Sequence, residues 1–557
     1  MPVPPFPDTP SGQAPQKFYV KKFRGLNQQS PRQSIDDSQF AWLENMMPIA
    51  DGNLRATYDI GTSFFSVPGS QTIVNSYFYN LGLNPLAIVF LSDGTAYQVP
   101  ALVTAPPGAS LPVSTSSGTF FNGQNVPVAA QWNSSGIIIA TEATDPNGYY
   151  AWDGATLYPP NSSAPNWLTN NTPTTMPNGV HGSAIEVYQN RAWIISPSVA
   201  INQQLGPASP PLITNSAPSN GADFTTTDGA NTTPQQDASL RANFTVMKQS
   251  GGFLYLFGDS NVAVISNVQT GGSPTITTYL NINLSPQTGC AWPGTAQIFG
   301  QSVIFANATG VYILNGGTIQ KISYELDLLF QKAVFSPTPT GAVAFIFGMM
   351  CYMILLQVPD NTLTLRSVLC VWTGRDWFIA SQSQTLTAVF SQEFNSQLLA
   401  WGTNGTNLWP LFQTPNSALQ KTFRSKLFAA GQDGDAFMTY IKPYRMWIDA
   451  VDFAGSGIGY LGTIDTYLDN TQPYSQIAIV INSQPQTFNF QSSNGEIFFT
   501  PSLGGTIFWG SQSGSEIAGI NAAPYGLYAG VNLFVTGADF IVTRFAIEYA
   551  QDATYLG

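Results

Sequence analysis

The sequence predicts an all-β protein: a β-propeller preceded by a short helical arm and followed by a separate all-β domain. Three observations predict it. Apolar or aromatic runs recur between Gly, Asn and Asp turns from about Tyr58 to Phe412, the alternation of strand and turn expected of hairpins. The clearest unit, residues 342–381, splits into four strands at "GMM", "PDNT" and "GRD", and four antiparallel strands in about forty residues is the size of one propeller blade. Charged residues are only 9% of the 557, against roughly 25% in an average soluble domain. Asn, Gln, Ser and Thr take their place, while 43% hydrophobic and 13% aromatic residues supply core material, which excludes a disordered chain.

The elements follow in order. Residues 1–16 are Pro-rich and read as an extended arm. Lys17, Lys21, Lys22, Arg24 and Arg32 then place five of the 19 Lys and Arg within a short stretch, so this arm is expected to lie on an acidic partner. Ser34 as a cap, Asp36 and Asp37 in a first turn, and Phe40, Leu43 and Met47 at i, i+3 and i+7 predict an amphipathic helix that Pro48 ends. Residues 1–57 are therefore expected to be arm and docking helix, 58–414 the propeller, and 415–557 the C-terminal all-β domain. Hairpin turns at Asp93-Gly94, Asn147-Gly148 and Asp153-Gly154 punctuate the propeller. Its length divided by the period suggests six to eight blades, with insertions at 104–129 and 203–238; periodicity alone leaves a β-sandwich as the competing architecture. Residues 341–358 carry no charge and approach membrane-spanning length, but Gly348 interrupts them and prolines bracket them, so two buried strands and no membrane insertion are expected. The first residues lack the basic start and apolar stretch of a secretory signal.

Chemistry is hard to place on this chain. Cys290, Cys351 and Cys370 are too few and too widely spaced for a disulfide framework or a zinc site, and read as buried free thiols. The single histidine, His181, has no nucleophile elbow beside it. Residues 431–437, "GQDGDAF", lack the spacing and closing Glu of a calcium loop. Glutamate occurs only eight times, and no strand-borne cluster of Arg, Tyr and Glu suggests glycoside hydrolysis. Neither a phosphate loop nor a dinucleotide fingerprint is present. We therefore expect no enzyme, no cofactor, and no catalytic or metal site. The formal net charge of −12 argues against a protein that grips nucleic acid by its phosphates.

The stretch "FRGLN…SIDDSQFAWLENMMPIADGNLR" resembles the amino-terminal signature of the tail nozzle (tail tubular or tail hub) family of short-tailed bacteriophages. Phe23, Gly25, Leu26, Asn27, Asp36, Gln39, Asn45, Gly52, Leu54 and Arg55 match its pattern. Residues 213–229, "ITNSAPSNGADFTTTDG", are similar to the family's serine–proline–"DF" loop, and residues 288–330 to its segment ending in a glycine-rich turn, "IS" and a short helix. The resemblance implies a structural virion protein: a homo-hexameric ring below the portal and adaptor, with a propeller in each subunit and a channel that conducts the genome during ejection. It implies the adaptor ring as partner, tail fibre or needle proteins as further partners, transient non-specific passage of double-stranded DNA, and location in the virion tail after synthesis in the host cytoplasm. Lys17, Lys21, Lys22, Arg24, Phe40, Leu43, Lys421, Arg424 and Lys426 are the candidates for subunit and adaptor interfaces. The alternative is a receptor-binding or glycan-cleaving propeller of the tail.

Overall fold

The computed structural model describes residues 16–101, 111–113, 126–141, 148–169, 175–196, 212–234, 244–359, 363–429, 440–455, 457–467, 475–483, 488–493, 496–500, 506–507, 514–519 and 527–552. The Pro-rich start, most of the insertion at 104–129, both ends of that at 203–238 and the "GQDGDAF" turn lie outside them. Strands dominate, and the only α-helix among the described residues is Asp327–Lys332. The chain divides into two compact units, one of Ile60–Leu369 with Gln384–Phe412, the other of Met1–Asp59, Cys370–Ser383 and Gln413–Gly557.

In the first of these units a four-stranded antiparallel sheet repeats over residues 73–113, 128–158, 184–234, 244–285 and 297–321. A sixth sheet begins with Thr340–Ile346, Met349–Pro359 and Leu365–Trp372. In the seventh, Ala388–Phe394, Gln397–Thr403 and Asn407–Pro410 are joined by Phe65–Ser66 from the start of the unit. The first strands of consecutive sheets pack on one another in turn, and Ala388–Phe394 packs on Ile73–Leu81. This arrangement is propeller-like. It follows from the sequence because central strands such as Gly136–Ala140 and Tyr149–Trp152 are buried on both faces: Ile138 and Tyr149 join Ile194 in one layer, while Ile137 and Tyr150 join Ile88 and Phe90 in the next. Residues 341–358 form two strands, with Phe347 and Gly348 at φ 49° and 77° making the turn between them. Among the described residues no helix is long and apolar enough to cross a membrane. All three cysteines are free and buried.

The other unit differs from the expected boundaries. Its central strand, Phe540–Asp552, takes Tyr440–Asp452 along one edge and both Gln16–Val20 and Leu54–Ala56 along the other. A second ladder runs from Phe40–Glu44 to Lys421–Ser425, Tyr528–Thr536, Ile458–Tyr467 and Ser475–Ser483. Residues 16–57 are therefore not a separate arm: they belong to the same unit as the C-terminal residues and give it the strands Gln16–Val20, Phe40–Glu44, Met46–Pro48 and Leu54–Ala56. The expected helix over 34–47 is also absent. Turns at 32–38 lead into strands Phe40–Glu44 and Met46–Pro48, with Asn45 at φ 57° bending the chain between them. A helix this short is marginal alone, and pairing with Lys421–Ser425 buries Phe40, Leu43, Met46 and Met47 almost completely.

Candidate docking surface

The amino-terminal residues that carry the resemblance, Phe23 to Arg55, fall in the second unit, and several have a local task. Gly25 lies against the turn before Trp377: a Cβ there would stand 2.3 Å from the Trp377 carbonyl oxygen and 2.8 Å from its nitrogen. That approach lets the Leu26 N–H donate to the Trp377 carbonyl at 2.7 Å, while Phe40 N–H donates to the Gly25 carbonyl at 3.1 Å. Arg24 Nε donates to Asp376 Oδ1 at 3.1 Å. Asn45 works as a three-way tie, donating from Nδ2 to Ser381 Oγ and the Gln420 carbonyl, both at 2.7 Å, and accepting the Ser381 N–H at 2.7 Å. Arg55 and the Tyr58 hydroxyl both reach the Asp539 carboxylate, the hydroxyl at 2.8 Å. Burial and that carboxylate raise the Tyr58 pKa.

Several interface candidates prove to be core. Phe40 and Leu43 are 1% and 0% exposed; Phe40 packs between Phe23 and Phe423, with centroids 5.8 and 5.6 Å away. Lys421 is also fully buried, donating from Nζ to the carbonyls of Asn416 at 2.5 Å and Gly537 at 2.6 Å. Burial lowers its pKa to about 8, although Asp59 and Asp539 work the other way. These three side chains offer nothing to a partner. Arg32, the last cation of the expected basic arm, is also engaged: its Nε donates to the Ser425 carbonyl at 2.7 Å and ties the turn to the second ladder.

The remaining cations stay at the surface. Lys17 pairs with Glu548 at 2.9 Å, and Lys21 lies 4.9 Å from the Tyr19 ring centre. Lys22 is exposed, and Tyr19 is 47% exposed. Arg424 is exposed, and Lys426 pairs with Asp37 at 2.7 Å. Tyr19, Lys21 and Lys22 thus make a small basic and aromatic surface at the end of a strand anchored to Phe540–Asp552.

The propeller-like unit holds a different kind of site. Glu186, on Ala184–Tyr188, is half-buried, and the desolvation there raises its pKa to about 7 although Lys248 nearby favours its charge. Tyr77 senses Glu186 and accepts the Gln131 N–H at 2.9 Å. Neither Glu186 nor Lys248 was singled out from the sequence; the one signal was an acid inside an apolar strand. A cleft of about 440 Å³ lies near Leu81, Asn84, Leu86, Gln98 and Asp153. Its polar atoms are engaged within the unit: Gln98 Nε2 donates to the Gly154 carbonyl at 3.0 Å, and Asp153 accepts from Ala155, Thr156 and Tyr158. His181 sits in the loop before Ala184–Tyr188, its carbonyl accepting the Ser196 hydroxyl at 2.6 Å.

The segments at 213–229 and 288–330 are anchored with similar economy. Buried Arg191 donates to the carbonyls of Ser216 at 2.8 Å and Gly229 at 2.9 Å. The second segment ends in the short helix Asp327–Lys332, whose Asp327 pairs with Lys321 at 2.6 Å.

No family model and no curated protein matches this sequence. Among solved structures, AofleA from Arthrobotrys oligospora aligns over 67% of this chain and 92% of its own, at 10% identity and a TM-score of 0.27. Sucrose-6-phosphate hydrolase from Lactobacillus gasseri aligns over 89% and 93%, at 8% identity and a TM-score of 0.21. Scores this low carry no argument about fold or function.

Proposed function

We propose that this chain is a structural component of a bacteriophage tail, a nozzle subunit that assembles into a six-fold ring below the adaptor and lets the genome pass. The observation that carries the reading is the clustering of the signature residues: Gly25, Asn45 and Arg55 each fix one junction of a single unit assembled from both ends of the chain. In the same reading the seven sheets close into a propeller, sealed where Phe65–Ser66 completes the last sheet. The acidic, amide-rich composition suits a passage for DNA, because each fixed cation on its wall would add phosphate affinity and friction. The adaptor is the partner assigned to the surface around Tyr19, Lys21 and Lys22.

A glycan-cleaving propeller is less well supported. Hydrolysis of a glycoside wants two carboxylates facing each other across the scissile bond, and the charged group that acts on Glu186 is a lysine. The test is charge reversal at Lys21 and Lys22, two exposed residues outside the core. Lys21→Glu with Lys22→Glu should leave the chain folded and block its incorporation into particles. Normal incorporation would remove the docking role given to this surface.

A further inference from the structure

The fourth sheet of the propeller-like unit carries its apolar residues on the wrong side. Its last two strands, Val262–Gly271 and Ile276–Ser285, have ten residues each, whereas the last strand of the fifth sheet, Thr318–Lys321, has four. One face of this long hairpin is covered by the third sheet: Tyr279 packs edge-on to Trp193 at 5.2 Å. The opposite face begins well covered, with Tyr255, Phe257, Val262 and Val264 packed on Val303, Phe305 and Leu314 of the fifth sheet. Among the described residues this cover ends near Leu284, which still packs against that cluster. Beyond it Ile282, Leu280 and Ile276, at even-numbered positions on one face, are 48%, 52% and 57% exposed, and Phe253, two strands across the same sheet, is 42% exposed. Single exposed apolar residues are ordinary, but a stripe of them on the overhanging end of a hairpin marks a contact surface.

Charge identifies the occupant. Residues 262–285 include no Asp, Glu, Lys, Arg or His, so the stripe has nothing with which to hold nucleic acid or an oppositely charged protein. Two copies of a chain with a formal charge of −12 repel each other, and they meet at least cost where the surface is neutral and apolar. We propose that the face bearing Ile276, Leu280 and Ile282 is where one copy of this chain contacts another. The inference deepens the ring reading above and rests on it for the expectation that copies meet.

The test uses the full chain. Sedimentation velocity from micromolar to submillimolar protein should show reversible association that salt does not weaken, since no ion pair is involved. Leu280→Glu with Ile282→Glu should weaken that association by at least about tenfold, because it would bury unpaired charge. A second measurement covers the case in which this variant misfolds. Thr278 is exposed on the same face, and the native cysteines are buried, so Thr278→Cys accepts an environment-sensitive dye selectively. Its emission should shift to the blue as the protein associates. A wild-type chain that stays monomeric throughout, or associates with the dye unchanged, overturns the inference. If such a chain still enters virion tails, the nozzle reading stands without this contact. If it is absent from tails, that reading fails on its own account.

Discussion

The two units of this protein are built on opposite plans. In the propeller-like unit nearly every strand pairs with its neighbour in sequence, as Gly136–Ala140 does with Val128–Trp132 and Tyr149–Trp152. In the other, the essential pairings join the ends of the chain: Gln16–Val20 with Phe540–Asp552, and Phe40–Glu44 with Lys421–Ser425. The first plan tolerates local damage, since each sheet is a repeat with its own hairpins. The second concentrates stability in a few junctions whose partners lie hundreds of residues apart, and whose loop-closure entropy is recovered only when all form together.

The largest expected effect follows from that contrast. Gly25→Ala forces a Cβ to within 2.3 Å of the Trp377 carbonyl oxygen, and should destabilise its unit by about 3 kcal/mol. Unfolding followed by denaturant should show one transition moved and that of the propeller-like unit kept. Equal movement of both would erase the distinction between the plans.

Lys421→Met comes next. It leaves the Asn416 and Gly537 carbonyls without their ammonium donor, a loss of about 2 kcal/mol. It also changes the pH response. The folded-state pKa is lowered from 10.5 to about 8, so the unfolded chain binds more protons between those values and the unit gains stability as pH rises through them. Melting curves across that range should show the slope in the wild type and lose its Lys421 part in the variant.

Glu186 gives the reverse sign in the other unit. Its pKa is raised from 4.5 to about 7, so the folded unit binds the extra proton. The stability this contributes is complete below 4.5 and is lost as pH rises through 7. Glu186→Gln should flatten the dependence and make the unit more stable at pH 8 by about 1 kcal/mol, measured by thermal unfolding. The smallest effect belongs to Lys17→Ala. The lysine is 35% exposed in its pair with Glu548, and its loss should cost about 0.5 kcal/mol.

The same contrast decided what could be read from the sequence. Strand-and-turn alternation exposed the sheets because their partners are adjacent, and the break at Gly348 separated two strands that together look long enough for a membrane. Residues 34–47 misled for the opposite reason. Phe40, Leu43 and Met47 fit a helical stripe, and nothing nearby reveals that Lys421–Ser425 will pair with Phe40–Glu44. The burial of Lys421 was equally invisible, since a lysine opening "KTFRSKLF" looks like surface until Asp59 and the Gly537 carbonyl close around it. Signature residues such as Gly25 and Asn45 were recognisable as a pattern before their tasks were known. One is small because a backbone passes over it, and the other adopts φ 57° and satisfies three groups at once.

The most direct test of the nozzle reading is imaging of intact virions, with this chain located in the tail by an epitope inserted at the exposed turn beside Leu83. A six-fold ring of this chain below the adaptor, with an open axial channel, is the expected result. A chain absent from the tail, or placed there as single copies at the receptor-facing tip, would contradict it.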